Sequence, residues 1–266
     1  MIDWESAYDN RAAVPGAERV PEIWAEAAQA ARVALAERCR ALSYGPHPRQ
    51  LVHLMLPEAA PAGLAIFFHG GYWMRNDPTI FLHLGAGALA RGWAVAMPGY
   101  RLCPEVPISE IVKDAGAAVA LAAQQVPGPI RLAGHSAGGQ LAARLGCAGA
   151  VPEWVAARLS GLVSISGLHD LRPLRRTPMQ STLRLTSAEA LSESPAFCEP
   201  IPGLSTTAWV GSGELAELRR QSRLLVELWG GLGAPVRLVE DAGQDHFTVI
   251  DALADPQSPL TGAWLS

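Results

Sequence analysis

Gly134-His135-Ser136-Ala137-Gly138 sets a serine among small residues, directly after the apolar run Ile130–Ala133 and directly before a helix-forming stretch. A G-x-S-x-G between strand and helix is a nucleophile elbow. Its turn is tight enough to demand small neighbours, and it lifts the serine Oγ to a helix N-terminus that favours negative charge. A second stretch, Phe67-Phe68-His69-Gly70-Gly71-Tyr72-Trp73, follows an earlier apolar run. Acyl transfer needs N–H donors aimed at the oxyanion, and glycines let a loop backbone come that close. The expected donors are the N–H groups of Gly70, Gly71 and Ala137. His69 reads as a support for its own loop and His135 as packing beside the elbow.

A serine nucleophile needs a base, and the chain holds seven histidines. His47 and His53 precede the expected sheet core, His83 falls in a presumed outer helix, and His169 opens an irregular stretch. His246, in Gln244-Asp245-His246-Phe247, lies in the loop after the last strand-like run, where the chain order Ser, acid, His places the base. The acid should follow the preceding run, Ala208-Trp209-Val210-Gly211-Ser212-Gly213-Glu214. Glu214 stands at that run's carboxyl end, where ligands and catalytic groups gather in open α/β sheets. Asp241 is the serious rival; Glu217 lies nearly a turn into the helix, and Asp245 adjoins the base too closely. The favoured set is Ser136, Glu214 and His246, with Glu214 against Asp241 left open.

These residues need a frame. Short, mostly continuous apolar runs recur at Leu51–Leu56, Leu64–Phe68, Trp93–Met97, Ile130–Ala133, Leu162–Ile165, Thr207–Val210 and Val236–Val239. Helix-length stretches such as Ile108–Gln125, Gly138–Ala148 and Glu214–Leu232 lie between them. Continuous runs suit strands covered on both faces, and the alternation predicts βαβ units in a mostly parallel sheet with helices on both faces. The first two runs are joined through a Pro/Gly turn and could form an antiparallel start. Pro21 opens a segment rich in Ala, Glu and Arg, which predicts a helix lasting until the breaker cluster Gly45-Pro46-His47-Pro48. Residues 170–204, polar and interrupted by five prolines, read as a small helical cap inserted between two strands. The expectation is one domain over 1–266, with an N-terminal helical segment at about 1–45 and the cap at about 170–204.

Composition narrows the classes. The chain has 266 residues, 49% of them apolar, and a net charge of −4. That balance gives no basic footprint for nucleic acid, and the apolar content argues against disorder. Four scattered cysteines, with no C-x-x-C pair and no histidine at ligand spacing, support neither a zinc site nor a disulfide framework. No apolar run approaches the roughly 20 residues that span a bilayer. The start MIDWESAYDN has neither a basic nor an apolar leader region. The expectation is a cytoplasmic protein acting on a small-molecule substrate, away from membrane and nucleic acid, with no metal or cofactor. A homodimer stays open, because Trp4, Tyr8 and Trp24 suit either a subunit contact or closure over the site.

At these motifs the sequence resembles the α/β-hydrolase fold, and more narrowly the kynurenine formamidase (arylformamidase) group with its bacterial esterase relatives. Tyr8-Asp9-Asn10-Arg11, His69-Gly70-Gly71-Tyr72-Trp73, Tyr100-Arg101-Leu102-Cys103-Pro104-Glu105, His169-Asp170-Leu171-Arg172-Pro173-Leu174, Ser194-Pro195 and Asp245-His246-Phe247 carry the likeness nearly end to end. Two positions depart from that group: Glu214 stands where it usually has Asp, and Met179-Gln180 where it commonly has Asn. The resemblance implies a serine hydrolase that cleaves N-formylkynurenine to kynurenine and formate through a formyl-enzyme, with Tyr72 and Trp73 as tentative substrate contacts. A carboxylesterase or thioesterase acting on small acyl esters is the alternative. A non-catalytic binding protein ranks third, since serine, histidine and glycine loop all persist.

Overall fold

The computed structural model describes residues 2–266. Eight strands form one sheet: β1 Cys39–Ser43, β2 Leu51–Met55, β3 Leu64–Phe68, β4 Ala94–Pro98, β5 Ile130–His135, β6 Leu159–Ile165, β7 Thr206–Gly211 and β8 Val236–Asp241. Their spatial order is β1-β2-β4-β3-β5-β6-β7-β8. β1 with β2 and β2 with β4 are antiparallel, and every other pair is parallel. The antiparallel start is therefore present, but β2 pairs with β1 and β4 rather than with the next strand in sequence.

The middle strands read as continuous apolar runs because both faces are covered. Leu64, Ile66 and Phe68 of β3 point to one core, shared with the helices Ile108–Gln125 and Ala137–Leu145. Ala65 and Phe67 point to the other, packing with Phe81, Trp24 and Trp264. Each large apolar side chain so buried stabilises the fold by about 1.5–3 kcal/mol relative to exposure. Together the two cores hold the carboxyl ends of β3 and β5 to β8 in a fixed plane.

One expectation fails at the N-terminal side. The helix that was to run to the Gly45 cluster ends at Leu35, and Ala36 turns the chain with φ 46°. Cys39–Ser43 then forms β1, in register with β2 from Cys39 opposite Met55 to Ser43 opposite Leu51. Glu37-Arg38-Cys39-Arg40-Ala41-Leu42 has good helix formers, so local propensity pointed the wrong way. The hydrogen bonds of the free β2 edge override it.

Between β6 and β7 the chain leaves the sheet in short helical turns, Arg172–Arg176, Gln180–Leu183, Ser187–Ser192 and Pro195–Phe197. Ser194 ties them together: its hydroxyl accepts from the Leu171 N–H at 2.8 Å and donates to the Ala190 carbonyl at 2.6 Å. Arg172 pairs with Asp170 and lies 4.4 Å over the Phe197 ring. These contacts hold the insertion together, and Gln140 of the helix after β5 ties it to the body of the fold by donating to the Glu193 carbonyl at 2.8 Å. Among the described residues, no helix is long and apolar enough to cross a membrane.

Candidate active site

Ser136 sits between β5 and the helix Ala137–Leu145 with φ 57° and ψ −119°. A non-glycine residue there costs about 1–3 kcal/mol, which the surrounding structure must offset. The offset is visible. The Ser136 N–H donates to the Ile165 carbonyl at 2.8 Å, and its carbonyl accepts from Gln140 at 3.1 Å. The flanking glycines allow the turn: a Cβ on Gly138 would fall 2.0 Å from the Phe68 carbonyl oxygen, and one on Gly134 2.0 Å from that of Gly138. The elbow expected from G-x-S-x-G is this turn.

His246 reaches the same place from the loop after β8. Its Nδ1 donates to Glu214 Oε2 at 2.6 Å, with both side chains almost wholly buried. That donation leaves the Nε2 lone pair free on the neutral ring. Glu214 Oε1 is held in turn by the Ser166 hydroxyl at 2.5 Å and the Gly211 N–H at 2.8 Å. Asp241 is engaged elsewhere, accepting from the Trp209 indole N–H at 3.0 Å. Glu217 takes the Tyr8 hydroxyl and Arg220, and Asp245 caps the N–H groups of Phe247 and Thr248. Of the rival acids, Glu214 alone meets His246.

Ser136 and His246 line one cavity of about 290 Å³, together with Gly70, Gly71, Tyr72 and His135. No hydrogen bond joins Ser136 to the His246 ring among the described residues; such contacts often tighten only when substrate is bound. Gly70 lies directly over the elbow, since a Cβ on it would sit 3.1 Å from that of Ser136. Gly71 has φ 125°, a conformation open to glycine. Among the described residues no acceptor in a turn, loop or side chain pairs with the N–H of Gly70 or Gly71. Ala137, as the first helical residue, has no N–H partner within its helix.

The other histidines around the site are buried supports. His69 Nδ1 donates to the Gly70 carbonyl at 2.7 Å, and its ring is stacked between Phe81 and Tyr100 at 5.7 and 4.4 Å. Burial pulls its pKa down to about 4, so it is a poor base at neutral pH. His135 donates from Nε2 to the His246 carbonyl at 2.8 Å, and burial holds it well below its ordinary value. His169, likewise buried and lowered to about 4, is bonded to Ser164 and the Gln221 carbonyl. His83 sits in the 3-10 turn Pro78–Gly85.

Tyr72 and Trp73, paired as expected substrate contacts, part company. Tyr72 lines the cavity, donating to the Tyr8 carbonyl at 2.7 Å and accepting from Asn10 at 3.0 Å. Trp73 is fully buried off the cavity, its indole donating to Gln140 at 3.0 Å. Its ring packs in the core shared with the helices Ile108–Gln125 and Ala137–Leu145. Tyr8 and Trp24 close one side of the cavity, and Thr177, Pro178 and Met179 of the insertion close another. Trp4 stands apart in a separate polar recess with Arg172 and Arg176. Three contributors escaped the sequence reading: Ser166, Asn10 and Asn76. Ser166 had a signal in Ser164-Ile165-Ser166-Gly167, small polar residues ending a strand beside the elbow. Among the described residues no three His, Cys, Asp or Glu side chains gather as metal ligands.

Residues 65–250 match the family model of the alpha/beta hydrolase fold. Kynurenine formamidase of Danio rerio is 28% identical over 229 residues, spanning 82% of this chain and 78% of that protein. A crystal structure of a Silicibacter sp. TM1040 protein, provisionally called a thioesterase, matches over 100% of both chains with TM-score 0.96 and 43% identity. The esterase of Pyrobaculum calidifontis shares the fold at TM-score 0.67 and 20% identity, over 89% of this chain and 90% of that one. The chain belongs to the alpha/beta hydrolase fold family, in its formamidase and esterase group.

Proposed function

We propose that the chain is a serine hydrolase of the arylformamidase type, with Ser136 as nucleophile, His246 as base and Glu214 as the carboxylate that orients it. The observation that carries this reading is the 2.6 Å contact between His246 Nδ1 and Glu214 on a cavity that Ser136 also lines. As the formyl carbonyl of an N-formyl arylamine approaches, His246 Nε2 takes the Ser136 proton while Oγ bonds to the carbonyl carbon. The oxyanion is met by the N–H groups of Gly70, Gly71 and Ala137, each donor contributing about 3 kcal/mol to the transition state. The protonated His246 then passes its proton to the departing amine, and the C–N bond breaks. Water, deprotonated by His246, attacks the formyl-enzyme and releases formate with Ser136 restored. The likeness to a kynurenine formamidase over 82% of this chain supports N-formylkynurenine as substrate, and an aromatic leaving group suits walls that include Tyr72, Trp24 and Phe247. The expected setting is the cytoplasm, and the chemistry needs no metal or cofactor.

A second reading keeps the machinery and changes the substrate to a small carboxylic ester or thioester. It is favoured by the 43% identity to the protein provisionally called a thioesterase, and by Met179 on the cavity wall where the formamidase group commonly has Asn. Rates on N-formylkynurenine, 4-nitrophenyl acetate and an acyl thioester, for wild type and Ser136→Ala, separate the two. Formamide cleavage that disappears with Ser136→Ala supports the first reading. Ester or thioester turnover without formamide cleavage replaces it with the second. Absence of fluorophosphonate labelling at Ser136 in folded protein would overturn both in favour of a binding protein.

A further inference from the structure

The peptide between Gly70 and Gly71 is gripped from one side. Its carbonyl, the oxygen of Gly70, accepts from the Asn76 amide Nδ2 at 3.1 Å and from His69 Nδ1 at 2.7 Å. The peptide is trans, so the Gly71 N–H points opposite to that carbonyl, away from Asn76 and His69. Gly71 packs closely on the same support, since a Cβ there would fall 2.9 Å from Asn76 Nδ2 and 2.4 Å from the Arg75 carbonyl oxygen. Asn76 is itself fixed. Its φ is 74°, a region asparagine tolerates better than most residues, and its carbonyl accepts from the Arg49 guanidinium, which also bonds the Tyr100 carbonyl. His69 is pinned between Phe81 and Tyr100.

We infer that Asn76 is a positioning residue for the oxyanion donor: with His69 it locks the Gly70–Gly71 peptide so that the Gly71 N–H is held in place before charge develops on the substrate. The inference rests on the reading of Gly70 and Gly71 as oxyanion donors. Preorganisation is what gives such a donor its worth, because an N–H that must rotate into place repays part of its contribution in reorganisation. Two donors on the carbonyl also polarise the peptide and strengthen the N–H at its other end. The motif His69-Gly70-Gly71 suggests the His69 support but nothing in it predicts the Asn76 half of this clamp. It requires the chain to loop back over five residues and place Asn76 in the left-handed region.

The test uses two variants. Asn76→Gly removes the amide while keeping the positive φ accessible, and Asn76→Asp keeps the shape but replaces the donor with an acceptor facing the Gly70 oxygen. For each, kcat and KM are measured on the best substrate of the wild type, with the inhibition constant of a boronic acid transition-state analogue and the melting temperature. The expected result is a fall in kcat of roughly 10- to 100-fold. KM should stay within about threefold, and the analogue should weaken in step with kcat. Unchanged kcat, or a parallel change in kcat and KM with the analogue's advantage over substrate intact, overturns the proposal, since a merely structural role moves the melting temperature without that split. A crystal structure of wild type carrying a phosphonate on Ser136 tests the underlying reading separately. If its phosphonyl oxygen sits away from the Gly70 and Gly71 N–H groups, the oxyanion assignment falls. If it sits against them and the variants keep full activity, only the role of Asn76 falls.

Discussion

The carboxyl ends of the parallel strands and the far wall of the same cavity are built differently. On the strand side, the turn after β5 carries Ser136, the loop after β3 carries Gly70 and Gly71, and the connections after β7 and β8 bring Glu214 to His246. Each of these groups is held by main-chain bonds or by buried side chains. On the other side stand Tyr8 and Trp24 from the N-terminal segment and Thr177 to Met179 from the insertion. Those residues come from short turns and one helix, anchored by side-chain contacts such as Tyr8 to Glu217 at 2.7 Å. The difference separates two tasks. Under the proposed function, bond-making chemistry, which tolerates little misplacement, is set on the sheet, and substrate choice on connections that can be remodelled without disturbing it.

The largest effect should come from the strand side. Ser136→Ala is expected to lower kcat by roughly 10⁴- to 10⁶-fold while the protein stays folded. A loss below tenfold, with the melting temperature unchanged, would break the comparison at its centre. Next comes Glu214→Gln, expected to cost roughly 10³- to 10⁴-fold in kcat. Asp241→Asn, next to it in space but bonded to Trp209, should change kcat by no more than about threefold. Reversed sizes for that pair would reassign the acid.

Acid should affect stability through the buried supports. His69 and His169 have folded pKa values of about 4, and His135 is also lowered by burial, against about 6.5 for an exposed imidazole. The unfolded chain therefore binds protons at these sites before the folded one does. Their neutral burial carries no proton penalty above about pH 6.5, and stability is lost progressively as pH falls from there toward 4. A fall in melting temperature of roughly 10 °C between pH 7 and pH 5 is expected. A flat profile in differential scanning fluorimetry would mean that these rings are solvated. The smallest effect belongs to the wall. Met179→Ala should alter the ratio of kcat/KM for bulky and small acyl substrates by about 3- to 10-fold, leaving kcat on 4-nitrophenyl acetate within about twofold. A large loss of kcat on the small ester would place Met179 in the chemistry and erase the division of labour.

Local residue types already implied much of the strand side. Small neighbours around Ser136, paired glycines after His69, continuous apolar runs and the chain order Ser, acid, His each reflect a constraint acting within a few residues. The acid was narrowed to Glu214 or Asp241 by position alone; only the folded arrangement put one on His246 and the other on Trp209. β1 was hidden because its residues favour helix, and the free edge of β2, the next strand in the chain, decided otherwise. Trp73 looked like a substrate contact from its place beside Tyr72, yet it packs in the core with its indole on Gln140.

What the sequence determined by itself is therefore the chemistry that short segments can encode: a serine in a turn that admits only small neighbours, a loop of glycines, and the strand pattern that raises both. What the tertiary structure decided is every partnership across long separations, such as Ser166 with Glu214, His246 with Glu214, and Tyr72 with the Tyr8 carbonyl. The physical reason is one of range. Turn sterics and hydrophobic periodicity act on adjacent residues and leave a mark in their order, whereas a hydrogen bond between distant side chains exists only after packing has fixed which atoms meet.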